Sequence, residues 1–99
     1  MRLIETPYLL EKKEKHIQKN LKLDHVFLAN IQLKQGERIP EHDSKKEVLI
    51  VVRHGSVLFN TEGVETVVTQ NNILHLAPGE MHHLLALADT DILVFQITP

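Results

Sequence analysis

The chain contains no cysteine, and that single absence removes disulfides, cysteine-based zinc sites and a thiol nucleophile together. Long hydrophobic runs are missing too. No purely apolar stretch exceeds that of Val48 to Val52, which falls far short of the ~20 residues that a membrane-spanning helix needs. Glycine is sparse, and Gly36 and Gly55 stand at spacings that make neither a phosphate-cradling loop nor a dinucleotide fingerprint. No excess of one charge exists: 11 Lys and Arg against 13 Asp and Glu leave a net charge of −2. That balance points away from nucleic acid and from an anionic membrane as partners. Met1 to Leu10 does not read as a signal peptide, because Glu5, Thr6 and Pro7 interrupt its apolar residues. The expectation is a soluble, cytoplasmic protein.

What is present is enough for one domain over residues 1–99. With 99 residues, 42% of them apolar and 24% charged, there is no room for a second core. A chain this short buries only roughly 60–65% of its unfolded surface, so a closed sheet or an oligomer interface would help it. Residues 1–15 read as an N-terminal arm. Pro7 breaks any helix there and favours an extended segment that could lie against a sheet edge. Its apolar residues Leu3, Ile4, Tyr8, Leu9 and Leu10 are surplus hydrophobic surface, and a homodimer is expected to cover it. The charged run Glu11 to Lys15 reads as a solvated turn.

Beyond the arm, turn signals recur at strand spacing. Ile17, Leu21 and Leu23 fit a strand interrupted at Lys19, although Leu10, Ile17 and Leu21 also fit a helical stripe. Phe27, Ala29, Ile31 and Leu33 alternate with Asn30, Gln32 and Lys34, the period of a half-buried strand. Val57-Leu58-Phe59, a turn at Thr61-Glu62-Gly63 and the β-branched Val64 to Val68 make a hairpin. Ile73 to Leu76, His82 to Leu87 and Ile92 to Ile97 complete the series. Short strands at turn spacings of about eight to ten residues predict an all-β antiparallel barrel of about ten strands, with at most one helical turn.

Two stretches carry the candidate chemistry. From Gly36 to Gly55 the chain sets His42 before the apolar run and closes on a glycine turn, and from Asn71 to His83 it repeats strand, Pro-Gly turn and histidine. Gly36, His42 and Gly55, followed by Pro78, Gly79 and His82, resemble the two motifs of the cupins, small barrels built as a double Greek key or jelly roll. The likeness spans roughly Ile17 to Ile97. It implies that His42 and His82 are retained metal-ligand positions. The family's second histidine falls on Ser44 and its glutamate on Val48, so two ligand positions are lost. Asn71 replaces the glycine that opens the second motif, a substitution that asparagine's tolerance of left-handed backbone would explain.

Strand parity then sorts the neighbours. Glu47 lies one place from the lost carboxylate and points to the opposite face unless a bulge intervenes. If His82 faces inward, as the resemblance implies, Leu84 and Ala86 share its face and His83 points out, while His75 could face either way. His16, His25 and His54 read as surface residues. His42, Asp43 and Ser44 contain the letters of a catalytic triad, but consecutive residues cannot stack as nucleophile, base and orienter.

Three functions remain in play. The favoured one is a stand-alone cupin-like module that binds a small molecule through His42, His82 and Ser44, with a divalent metal (Zn, Mn, Fe or Ni) held weakly by the two histidines. A metal bound by two side chains keeps most of its coordination sphere open. The second is a metal-dependent dioxygenase or isomerase of the cupin type, in which His42 and His82 hold the metal. The third is a non-catalytic dimeric scaffold.

Overall fold

The computed structural model describes residues 1–98, and within them the chain forms nine strands and no helix. They are β1 Lys15–Lys22, β2 Val26–Leu33, β3 Arg38–His42, β4 Glu47–His54, β5 Val57–Thr61, β6 Val64–Val68, β7 Ile73–Leu76, β8 His82–Ala86 and β9 Thr90–Ile97. The sequence reading of about ten strands counts one too many. Two antiparallel sheets face each other: five strands in the order β1-β2-β9-β4-β7, and four in the order β3-β8-β5-β6. The architecture is thus a jelly roll of two facing sheets. No helix among the described residues is long and apolar enough to cross a membrane.

Alternation within each strand builds the core. Val48, Ile50 and Val52 of β4 and Leu33 of β2 point inward from the larger sheet, against Val57 and Phe59 of β5 and Leu84 and Ala86 of β8. The hairpin between β5 and β6 turns on Glu62 and Gly63, both with positive φ (51° and 84°), the mirror-image turn that matches strand twist. Asn60 holds it by accepting the Gly63 amide at 3.1 Å.

The ambiguity at Ile17 and Leu21 resolves into a strand with an irregularity. The register of β1 against β2 shifts between Lys19 and Leu21, so Ile17 and Lys19 face inward with Ile31 and Ala29 while Leu21 turns to the other side.

The N-terminal arm does not lie along a sheet edge. It crosses the outer face of the larger sheet, where Asn30, Gln32 and Asp91 are buried despite facing away from the core. Gln32 accepts the Leu9 amide (2.8 Å) and donates to the Pro7 carbonyl (2.8 Å). Asn30 donates to the Asp91 carboxylate (2.6 Å) and to the Ile92 carbonyl (2.9 Å). Arg53 donates to the other Asp91 oxygen (2.8 Å) and to the Thr6 hydroxyl (2.6 Å). Asn30, Gln32 and Asp91 thereby find partners, as burial away from water requires, while Arg53 Nε is left without one. Leu10 is buried by its own chain, whereas Leu3 and Tyr8 stay exposed.

Candidate functional site

A cavity of about 220 Å3 lies between the inner faces of the two sheets. Its walls are mainly apolar, with Ile31, Val48, Ile50 and Val94 on one side and Ile39, Phe59 and Leu84 on the other. Polar groups are few: His42, His82, Ser44, Lys19 and Gln96.

Both histidines owe their position to β3 and β8. Their Cα atoms are direct cross-strand partners, and the rings meet edge-on with centroids 4.2 Å apart and planes at 64°. Strict alternation would put Ile39 and His42 on opposite faces. Both line the cavity because the register shifts between them, three steps along β3 matching two along β8. Pro40 sits inside that irregularity, where a residue without an N–H interrupts no ladder bond.

The ring nitrogens are sorted in the same way on both residues. His42 Nδ1 donates to the Pro40 carbonyl (2.9 Å) and His82 Nδ1 to the Glu80 carbonyl (3.0 Å), each two residues back. A carbonyl only accepts, so the proton sits on Nδ1 and Nε2 keeps its lone pair when the ring is neutral. His82 is 5% exposed, and burial lowers its pKa from the usual value of 6.5. The neighbouring His42 adds to that effect, while the Glu80 carbonyl and the charges of Glu80 and Asp43 oppose it. His82 therefore stays a neutral acceptor at neutral pH.

Ser44 lines the cavity and helps to close it. Its carbonyl accepts the Gly79 amide (2.7 Å), which ties the loop after β3 to the Pro78-Gly79 turn before His82. Its Oγ accepts the Lys46 amide at 3.2 Å, leaving the hydroxyl hydrogen to donate.

Parity places the other candidates outside. Val48 faces the cavity, whereas Glu47 pairs with His75 on the outer face of the larger sheet. His83 also points outward, 3.8 Å from Glu41. Asn71 does not take the left-handed backbone expected of it, since Glu62 alone among the described non-glycine residues has positive φ. Its amide instead donates to the Thr69 hydroxyl at 3.2 Å. Lys19 was legible only as an interruption of the first strand, and inward parity with Ile17 was the available sign that it reaches the cavity.

A resident metal does not fit this donor set. Both rings have the Nδ1-to-carbonyl anchoring that commonly accompanies metal ligation through the other nitrogen. Among the described residues, however, no group of three or more His, Cys, Asp or Glu side chains could hold an ion. Ser44 and Val48 stand where further ligands would be needed.

No family model and no curated protein matches the sequence. Solved structures do. A conserved protein of unknown function from Streptococcus pyogenes superposes with a TM-score of 0.82 over 100% of this chain and 91% of that one, at 13% identity. An RmlC-like cupin with a double-stranded β-helix fold from Methanocaldococcus jannaschii gives 0.79 over 99% and 91%, at 19% identity. An RmlC-like cupin from Desulfovibrio desulfuricans gives 0.80 over 98% and 93%, also at 19% identity. The fold is the cupin fold, and at these identities the likeness speaks for the fold alone.

Proposed function

We propose that this chain is a small-molecule-binding module whose organic ligand sits between the two sheets and is oriented by His42, His82 and Ser44. The observation that carries this reading is the pairing of a largely apolar cavity with two histidines whose Nε2 lone pairs are left over after Nδ1 is anchored. At about 220 Å3 the cavity is below the roughly 300–1,000 Å3 of sites for drug-sized molecules, so the ligand is small. Any divalent metal would be a weak guest on the two Nε2 atoms, with solvent completing its sphere. The test is amide NMR during titration with a panel of small organic compounds. Shifts should gather at His82, Leu84 and Val94 and vanish in Ala29→Phe, which fills the cavity. Binding that persists in the filled variant would overturn the reading.

The same proposal includes a second copy of the chain. The chain exposes 6268 Å2, against about 5,700 Å2 for a compact monomer of its 11.3 kDa mass. Leu3 (84% exposed) on the arm and Ile73 (66% exposed) on the outer side of the larger sheet contribute apolar surface that a partner could cover.

A further inference from the structure

We infer that the ligand is a small organic acid whose carboxylate pairs with Lys19 while its other end meets the Nε2 atoms of His42 and His82. This rests on the binding reading given above and adds the chemical class.

Lys19 comes from the larger sheet and the histidines from the smaller one, so they approach the cavity from opposite walls. Directly across from Lys19 on β2 is Ala29, followed by Val94 on β9 and Ile50 on β4. A row of one small and two branched apolar side chains gives the lysine stem a surface to lie on and leaves the space above Ala29 open. No Asp or Glu lines this cavity, and Lys19 is the one cavity-lining residue with a permanent charge. Among the described residues the ion pairs are Lys34–Asp89, Arg53–Asp91, His75–Glu47 and His83–Glu41, none of which involves Lys19. Lys19 is solvent-exposed at the rim of this apolar cavity, where a cation with no counter-ion among the lining residues is complementary to an anion with an apolar body. A carboxylate accepts hydrogen bonds from the ammonium, and the amide of Gln96 stands in the same cavity as a further donor.

The opposite wall has the reverse polarity. With Nδ1 of each ring donating to a carbonyl, the Nε2 atoms are the ones left to accept, so the far end of the ligand offers a hydroxyl or N–H. A volume of about 220 Å3 corresponds to roughly seven waters at ~30 Å3 each, the bulk of an acid of about ten non-hydrogen atoms. A hydroxybenzoate has that size and both polar ends.

An inward lysine on an edge strand such as β1 also discourages pairing with other chains, a role that needs the charge but no ligand. The experiment separates the two. Binding of 4-hydroxybenzoate and of the neutral 4-hydroxybenzyl alcohol is measured by calorimetry on the full chain, on Lys19→Met and on Lys19→Arg. The acid should bind wild type about tenfold more tightly than the alcohol. Lys19→Met should bring the acid down to the affinity of the alcohol measured on the same variant, removing the preference, and Lys19→Arg should keep it. If acid and alcohol bind wild type equally, or if Lys19→Met weakens neither, the acid assignment is wrong and the binding module stands. If neither probe binds wild type, the binding reading falls and this inference falls with it.

Discussion

Asp91→Ala should be among the most destabilising single changes in the chain, although Asp91 faces away from the hydrophobic core. One carboxylate oxygen accepts from Asn30, which is fully buried, and the other pairs with Arg53 at 2.8 Å. Removing it leaves an Asn30 donor short of a partner, at about 1–3 kcal/mol. It also strips Arg53 of its counter-ion. The Arg53 side chain is 31% exposed, so this second loss falls well below the roughly 3–5 kcal/mol of a fully buried pair. Together about 2–4 kcal/mol is expected, which for a domain of this size lowers Tm by roughly 10 °C or more. Arg53 also holds Thr6 through its hydroxyl (2.6 Å) and its carbonyl (3.2 Å), so the loss should reach the arm. Urea denaturation gives the free energy, and trypsin cleavage after Lys12 and Lys13 reports the arm. The variant should be cut faster, and Thr6→Ala should add little to Asp91→Ala because both act through Arg53. A loss below about 0.5 kcal/mol with unchanged cleavage would show that the network does not hold the arm.

Other outcomes follow from single residues. Burial lowers the pKa of His82, so the unfolded chain takes up protons there more readily than the folded one. This contribution to stability should be flat above about pH 6.5 and be lost progressively as pH falls from there towards the folded value; urea midpoints against pH should show a shallower acid fall in His82→Gln. Gly55 has φ +81° and an added Cβ would come within 2.9 Å of the Thr90 Cα, so Gly55→Ala should cost about 2–4 kcal/mol by urea denaturation. At Gly36, where nothing lies within 4 Å, the same change should cost only about 1–2 kcal/mol. Ser44→His with Val48→Glu adds donors beside an oriented pair and should tighten zinc or manganese binding by orders of magnitude over wild type, His42→Ala or His82→Ala. Equal affinity in all four would mean that the histidines are not the metal-binding groups. Sedimentation should give a dimer at micromolar concentration, and Leu3→Asp with Ile73→Asp should shift it to monomer; a wild-type monomer would refute the covered face.

The strands were legible because period-two alternation is a local signal. Phe27, Ala29, Ile31 and Leu33 declared their face, and once the resemblance had set the register, parity put Val48 inward with Glu47 outward, and His82 inward with His83 outward. The register shifts were not legible, since nothing in the local pattern states that a residue is surplus. Inward His42 depended on the resemblance, and the shift that turns it there lies around Pro40. The arm's seat was hidden for a different reason. Asn30 and Gln32 read as solvent-facing residues of a half-buried strand, yet both are fully buried: the arm supplies partners to Gln32 from more than 20 residues away, and Asn30 finds its own in Asp91 and Ile92 of β9. Lys19 looked like a break in a pattern for the same reason that it matters, as a charge on the inward side of a strand.

Crystals of protein purified from cells, without added ligand, would test the binding site most directly. The account predicts electron density for a small organic molecule between the sheets, with a polar atom within hydrogen-bond distance of His82 Nε2. Density for ordered water alone in the space between Phe59, Val94 and His82, in wild type and after soaking with 4-hydroxybenzoate alike, would contradict it.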